Sequence, residues 1–239
     1  MNEHSSISLD GDRRPVAVIA FGGNALLRPQ DHGTQEEQFT LAWKATRWLV
    51  EIIHRGYELA IVHGNGPQVG NIMIQVEEAF TKIPPQSLDV SVAQTQGSMG
   101  YMLANQIRNR LNEEQLDKDI AAVLTQVVVD RDDPAFENLS KPVGPYYTAY
   151  RANLLMQEAG WEMVEDPGRG WRKVVASPKP TRILGSRLLK RLVEDSAIVI
   201  AGGGGGIPVY EDVGGYYRGV EAVIDKDYVA SILATDLDA

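Results

Sequence analysis

Residues 197–201, AIVIA, form an apolar run that stops at five consecutive glycines, Gly202, Gly203, Gly204, Gly205 and Gly206. An apolar, β-branched run of this length suits a strand buried on both faces of a parallel sheet. Five residues without a Cβ let the backbone adopt positive φ and let N–H groups approach a ligand closely. A flexible linker would have the same composition, but linkers are not usually entered from a buried strand. After Ile207, Pro208 and a polar excursion, residues 219–227, GVEAVIDKD, form a second short apolar run that ends in charge. The pattern sets an anion-accepting loop near Lys226, a lysine flanked by the carboxylates Asp225 and Asp227.

Two earlier segments repeat the theme. Residues 16–21, VAVIAF, read as a strand that breaks at Gly22, Gly23, Asn24 and Ala25, and residues 59–62 read as a strand that runs into HGNGPQVG at 63–70. Between them Phe39, Trp43, Thr46, Val50 and Ile53 make the stripe of an amphipathic helix over 36–55, with Gly56 placed to end it. Ligands of open parallel sheets bind outside the carboxyl ends of the strands, so three glycine-rich turns, each after an apolar strand, are expected to gather around one crevice.

The remaining chain reads as follows. A helix is predicted from Gly70 to about Thr81, broken at residues 83–85, and another over 91–111. That second helix contains Gly97 and Gly100, which either admit a close neighbour or are simply tolerated. Residues 121–125 and 127–129 read as strands and 130–145 as a proline-punctuated loop carrying Lys141. Thr148 caps a helix that reaches Ala159 and ends at Gly160. Residues 168–180, GRGWRKVVASPKP, form a basic island in an acidic chain, with Arg169, Arg172, Lys173 and Lys179 read singly as solvated cations or phosphate contacts. The segment 127–177, with shorter elements and more prolines, reads as a small excursion from the main sheet. Helices over 183–194 and 228–237 complete the pattern.

The 239 residues are read as one domain over 14–239, preceded by a polar extension over 1–13 that lacks the apolar core of a signal peptide. The absence of cysteine excludes a thiol nucleophile and Cys-ligated metal and accords with a cytoplasmic setting. The four histidines are scattered, so no metal site is predicted. A net charge of −9 argues against a nucleic-acid partner, and the lack of an eighteen-residue apolar run argues against a membrane one. Neither a P-loop nor a dinucleotide fingerprint occurs. What remains is backbone N–H groups, Asn24 and Asn65 as hydrogen bonders or plain turn residues, and a few lysines. Phosphoryl transfer fits that inventory, because it asks mainly for positioning and charge neutralisation.

Taken together, the motifs FGGNA at 21–25, HGNGPQVG at 63–70, TQG at 95–97, TQVVVD at 125–130, KPVGP at 141–145, GRGWRKVVASPKP at 168–180 and GVEAVIDKD at 219–227 closely resemble carbamate kinase, within the amino acid kinase superfamily. The resemblance covers nearly everything from Val16 onward. It implies an α/β fold, a three-layer α/β/α sandwich around an open, mostly parallel sheet with a small protruding subdomain, and a homodimer. It implies the reversible reaction of ADP with carbamoyl phosphate to give ATP and carbamate, in arginine or related nitrogen catabolism, with Mg²⁺ accompanying the nucleotide. Carried over by position, Gly22, Gly23 and Asn24 hold the transferring phosphoryl group. Gly64 and Asn65, with Gly203, Gly204 and Gly205, cradle the carbamate end. Lys226 neutralises charge, Asp227 orients it, and Lys141 reaches in from the protruding subdomain. The family continues beyond the position of Ala239 with a strand, most of the adenine-nucleotide site and another lysine, so the nucleotide-binding portion is expected to be incomplete within these residues. Two other readings stand beside this one: a non-catalytic remnant that binds carbamoyl phosphate or dimerises, and a related kinase with another carboxylate acceptor.

Overall fold

The computed structural model describes residues 14–22, 26–27 and 31–239; the expected N-terminal extension over 1–13, together with Gly23 and Asn24, lies outside the described residues. The strands are β1 (Val16–Phe21), β2 (Glu58–His63), β3 (Ile120–Ala122), β4 (Gln126–Val129), β5 (Lys141–Tyr147), β6 (Met163–Asp166), β7 (Gly170–Val175), β8 (Pro180–Ile183), β9 (Ile198–Ile200), β10 (Ile207–Glu211) and β11 (Tyr217–Gly219). The helices are α1 (Gln35–His54), α2 (Gly66–Ala79), α3 (Leu88–Glu113), α4 (Ala149–Ala159), α5 (Ser186–Glu194) and α6 (Lys226–Leu237).

A first sheet has the strand order β1-β2-β9-β3, parallel throughout. All six residues of β2 are buried, and alternation divides them between two cores. Leu59 and Ile61 point to the face covered by α1 and α3, where they meet Leu49, Ile53, Met99, Leu103 and Ile107. Ala60 and Val62 point to the other face, with Leu189 and Val193 of α5 and Val229 and Leu233 of α6. Each large side chain so buried contributes about 1.5–3 kcal/mol relative to exposure. Three layers follow directly from a strand apolar on both faces.

The helices carry the expected punctuation. Thr34 and Glu37 form a reciprocal capping box before α1, and Gly56 (φ +89°) follows its end. Within α3 the two glycines differ. An added Cβ at Gly100 would lie 3.0 Å from the Ala122 Cβ, so this glycine lets the helix pack closely on β3, whereas at Gly97 it would meet nothing among the described residues.

A second sheet, β11-β10-β4-β8, has a parallel centre, β10 with β4, and antiparallel edges. It continues the first, because β3 leads into β4 and β9 into β10 after short interruptions. Residues 141–175 contain a third sheet, β5-β7-β6, antiparallel, on which α4 packs with its Ala152 and Leu155 against Met163 of β6. Thr148 caps α4 and Gly160 (φ +64°) ends it. Lys141 is the first residue of β5, not part of a loop; β5 is an edge strand, where Pro142 and Pro145 need not donate to a ladder. No helix among the described residues is long and apolar enough to cross a membrane.

Candidate functional site

The glycine run fills the break between the two sheets. Gly202 donates its N–H to the Thr125 hydroxyl at 2.9 Å, and the Ile207 N–H donates to the Thr125 carbonyl at 2.8 Å. Gln96 of α3 braces the same point, donating to the Gly203 carbonyl at 2.9 Å and accepting the Thr125 N–H at 2.8 Å. Gly204, Gly205 and Gly206 all have positive φ. An added Cβ would overlap the Asn65 side chain at Gly204, the Ile224 carbonyl at Gly205 and Val127 at Gly206. Glycine is thus required here by backbone conformation and by contact, as a linker would not require it.

A cleft of about 240 Å³ opens beside this loop. Gly64, Asn65 and Gly66 wall it from the start of α2, Gly204 from the glycine run, and Asp225, Lys226 and Asp227 from the start of α6. Lys141 of β5 and Arg172 of β7 line it from the third sheet. Two helix N-termini therefore meet at one cleft, and each presents the positive end of its dipole there. Asn65, the N-cap of α2, makes no side-chain cap; its amide instead donates to the Thr95 hydroxyl at 2.8 Å, and Thr95 donates to the Val92 carbonyl at 2.7 Å. Asp225 caps α6 by accepting the Asp227 N–H at 2.9 Å.

The charges are arranged in pairs. Lys141 Nζ lies 3.2 Å from Asp225 Oδ2, and Lys226 pairs with Asp227. Arg172 donates through Nε and Nη2 to the Gly144 carbonyl at 3.2 and 2.9 Å. The Asp227 N–H, and after it the Lys141 ammonium, hold the Asp225 carboxyl below its ordinary range despite the opposing effect of partial burial. The buried His63 is pushed below its ordinary value by burial, which favours the neutral ring. Its ring occupies the space that a Cβ at Gly203 would need, so it packs the loop.

Of the residues singled out in the sequence, the cleft brings together Gly64, Asn65, Gly204, Lys141, Lys226 and Asp227. Gly203 and Gly205 are buried next to Gly204 and do not line it. Gly22 follows β1 close to the β2 turn, since the Gly64 N–H donates to the Phe21 carbonyl at 2.8 Å, but it too is outside the lining. Gly23 and Asn24 lie outside the described residues. The basic island separates into different roles. Arg169 pairs with Asp166 at 3.7 Å, and Lys179 is exposed. Lys173 is buried against Glu221 with its ammonium 4.6 Å above the Trp161 ring, and only Arg172 lines the cleft. Asp225 was open to detection: an Asp directly before a charged first turn is an N-cap signal.

The profile described as the amino acid kinase family matches residues 15–239. The carbamate kinase of Pyrococcus horikoshii is 46% identical over 224 residues, covering 93% of this chain and 71% of that protein. Carbamate kinase 1 of Enterococcus faecium is 48% identical over 223 residues, covering 93% and 70%. Among solved structures, the carbamate kinase of Giardia lamblia bound to AMP-PNP superposes with a TM-score of 0.87 at 38% identity, covering 95% of this chain and 71% of that one. The chain belongs to the amino acid kinase family and, within it, groups with the carbamate kinases.

Proposed function

We propose that the chain is a carbamate kinase, transferring a phosphoryl group between carbamoyl phosphate and ADP to give ATP and carbamate, which then breaks down to ammonia and carbon dioxide. The observation that carries this reading is the cleft itself: Lys141, Arg172 and Lys226 and the positive ends of α2 and α6 surround one space beside the glycine loop. In the reaction a β-phosphate oxygen of ADP forms the new P–O bond while the P–O bond to the carbamate oxygen breaks. The leaving carbamate keeps the electron pair, and no proton has to move. The chemistry then asks for orientation and for charge stabilisation of the moving group. A lining of helix N-termini and cations, whose carboxylates Asp225 and Asp227 are paired with lysines rather than poised as acids, answers that demand.

In this reading Lys226 lies against the transferring phosphoryl group, with Asp227 orienting it, and the incoming anion competes with the carboxylate for the ammonium. Lys141 and Arg172 close over the substrate from the third sheet, and Asp225 holds Lys141 until the anion arrives. Gly64, Asn65 and Gly204 form the wall at the carbamate end, with Gly203 and Gly205 shaping the loop behind Gly204, and Gly22, Gly23 and Asn24 act at the phosphoryl end. Among the described residues no three His, Cys, Asp or Glu side chains are grouped to hold a metal, and Asp225 and Asp227 already face lysines. Mg²⁺ therefore fits here as a companion of the nucleotide, held mainly by phosphate oxygens and water. When bound, it supplies charge neutralisation on those phosphates. Within the expected 127–177 segment, the third sheet over 141–175 is taken as the protruding subdomain, since β4 (Gln126–Val129) pairs within the second sheet; the protein is taken as cytoplasmic, and the assembly as a homodimer. Exposed Ile74, Phe80, Ile83, Val90 and Tyr101, on α2, α3 and the turn between them, supply apolar area for a second copy. Arginine or related nitrogen catabolism is the setting such a reaction serves.

A coupled assay for ATP from carbamoyl phosphate and ADP tests the reading. ATP formation that depends on both substrates is expected. A protein inert towards carbamoyl phosphate that phosphorylates another carboxylate from ATP would replace it.

A further inference from the structure

Lys141 and Arg172 reach the cleft from the third sheet, so their positions depend on how that sheet is fixed to the body of the molecule. At its base the sheet is tied to the segment before α6. The Val223 N–H donates to the Ala176 carbonyl at 3.0 Å and the Ser177 hydroxyl to the Val223 carbonyl at 2.9 Å. Strand β5 then runs from Lys141 to Tyr147, about 20 Å at the usual rise per residue. An attachment at the base alone would leave the sheet free to pivot.

Above the base, Val143 and Val175 pack against Val69, Met73, Leu88 and Val92 of α2 and α3, and at the far end Glu77 adds a polar clamp. Glu77 of α2 accepts the Tyr147 hydroxyl at 2.8 Å through one oxygen, and accepts Arg151 Nε and Nη2 at 2.9 and 2.6 Å through the other. It thus joins the last residue of β5 and the first turn of α4 to the body. Its side chain is only 13% exposed, so these charge-assisted bonds are partly shielded from solvent. Gly70, Met73 and Glu77, spaced three and four apart, share one face of α2. Gly70 meets the Gly144 backbone, Met73 packs on Gly144, and Glu77 takes Tyr147. Burial, and after it the adjacent carboxylate, pushes the Tyr147 hydroxyl well above its ordinary range, so it remains a donor. The helix that grips the sheet through Glu77 is the same helix whose N-terminus walls the cleft.

We infer that Glu77 is a positioning residue for the phosphoryl transfer: by clamping Tyr147 and Arg151 to α2, it fixes the third sheet so that Lys141 and Arg172 stay in register with the loop at Gly64 and Asn65. This rests on the reaction proposed above. A misplacement of about 1 Å at a reacting centre costs up to about 10²-fold in rate, and a clamp some distance away is expected to act on that scale or just below it.

Two isosteric variants test it, Glu77→Gln and Tyr147→Phe, each compared with the wild type by amide hydrogen exchange and by kinetics with carbamoyl phosphate. In Glu77→Gln, exchange over residues 141–159 is expected to quicken about tenfold while β2 and β9 keep their rates. The kcat/KM for carbamoyl phosphate falls about tenfold. Tyr147→Phe moves both readouts the same way by less. Because the clamp acts through Lys141, adding Lys141→Ala to Glu77→Gln costs at least threefold less than Lys141→Ala costs alone. Unchanged exchange over 141–159, wild-type turnover in Glu77→Gln, or losses that multiply in full would each overturn the inference. A wild-type protein that makes no ATP would instead sink the reading of the reaction, and the exchange comparison would still decide whether Glu77 fixes the sheet.

Discussion

Lys226 stands in the first turn of α6, 22% exposed in its side chain, where the helix dipole and the Asp227 carboxylate act on it together. In the proposed reaction a cation so placed gains most when charge redistributes on the group being transferred, so its effect is expected on the transition state more than on binding. Lys226→Ala is expected to lower kcat by about 10²-fold or more, the scale for losing one preorganised charge-stabilising donor, with a much smaller change in KM. Steady-state kinetics decide the matter: a near-native kcat would remove Lys226 from the reaction. The place of this lysine in the cleft was legible from its neighbours in the chain, because Asp225, Lys226 and Asp227 are consecutive. Arg172 was not. Its place in the cleft depends on β7 folding back on β5, which no local spacing encodes, and the adjacent Lys173 is turned away by a carboxylate, Glu221, that lies 48 positions further along the chain.

Strands that end in glycines announced themselves, since an apolar run of fixed length followed by residues without a Cβ is a local signal; β1, β2 and β9 were all read from it, and the structure sets their carboxyl ends side by side. The order of the strands is another matter. β9 inserts between β2 and β3, although it follows β3 by more than 70 residues, and only packing across the sheet selects that position. Prolines misled the reading of β5, because an edge strand tolerates what a central one does not. The glycine run itself looked like the end of a strand, yet β10 resumes beyond it, and the run is a break between two sheets braced by Gln96 and Thr125. This bracing makes a prediction about the element. Gly205 has φ +89°, and a Cβ there would collide with the carbonyl of Ile224, the residue before the α6 cap. Gly205→Ala combines left-handed strain of about 1–3 kcal/mol with that collision, so a loss of at least about 3 kcal/mol is expected in urea unfolding. A midpoint equal to wild type would mean that the loop is free to relax, contrary to the contacts described.

At the scale of the whole molecule, burial is unevenly distributed. The first sheet has a core on each face, and β2 has parallel partners on both sides and no exposed residue. The third sheet has a small core of Ala152, Leu155 and Met163 under α4 and gives only Val143 and Val175 to the core it shares with α2 and α3; its edge strand β5 is interrupted by two prolines, and in α4 only Ala152 and Leu155 are buried. Units with little buried apolar surface open at lower free energy than the global unfolding, and they open as a unit. Residues 141–175 are therefore expected to exchange their amide hydrogens through a sub-global opening, with a common free energy below that of β2 and β9. The turn at the base, where residues 176, 177, 222 and 223 bond to one another, should exchange more slowly than β6. Such an opening would carry Lys141 and Arg172 away from the cleft together, linking the weakest part of the fold to admission of substrate. Native-state exchange in increasing denaturant measures it. If the amides of β7 merged with those of β2 at every denaturant concentration, the third sheet would not be a separate cooperative unit, and the coupling between its opening and the cleft would fall with it.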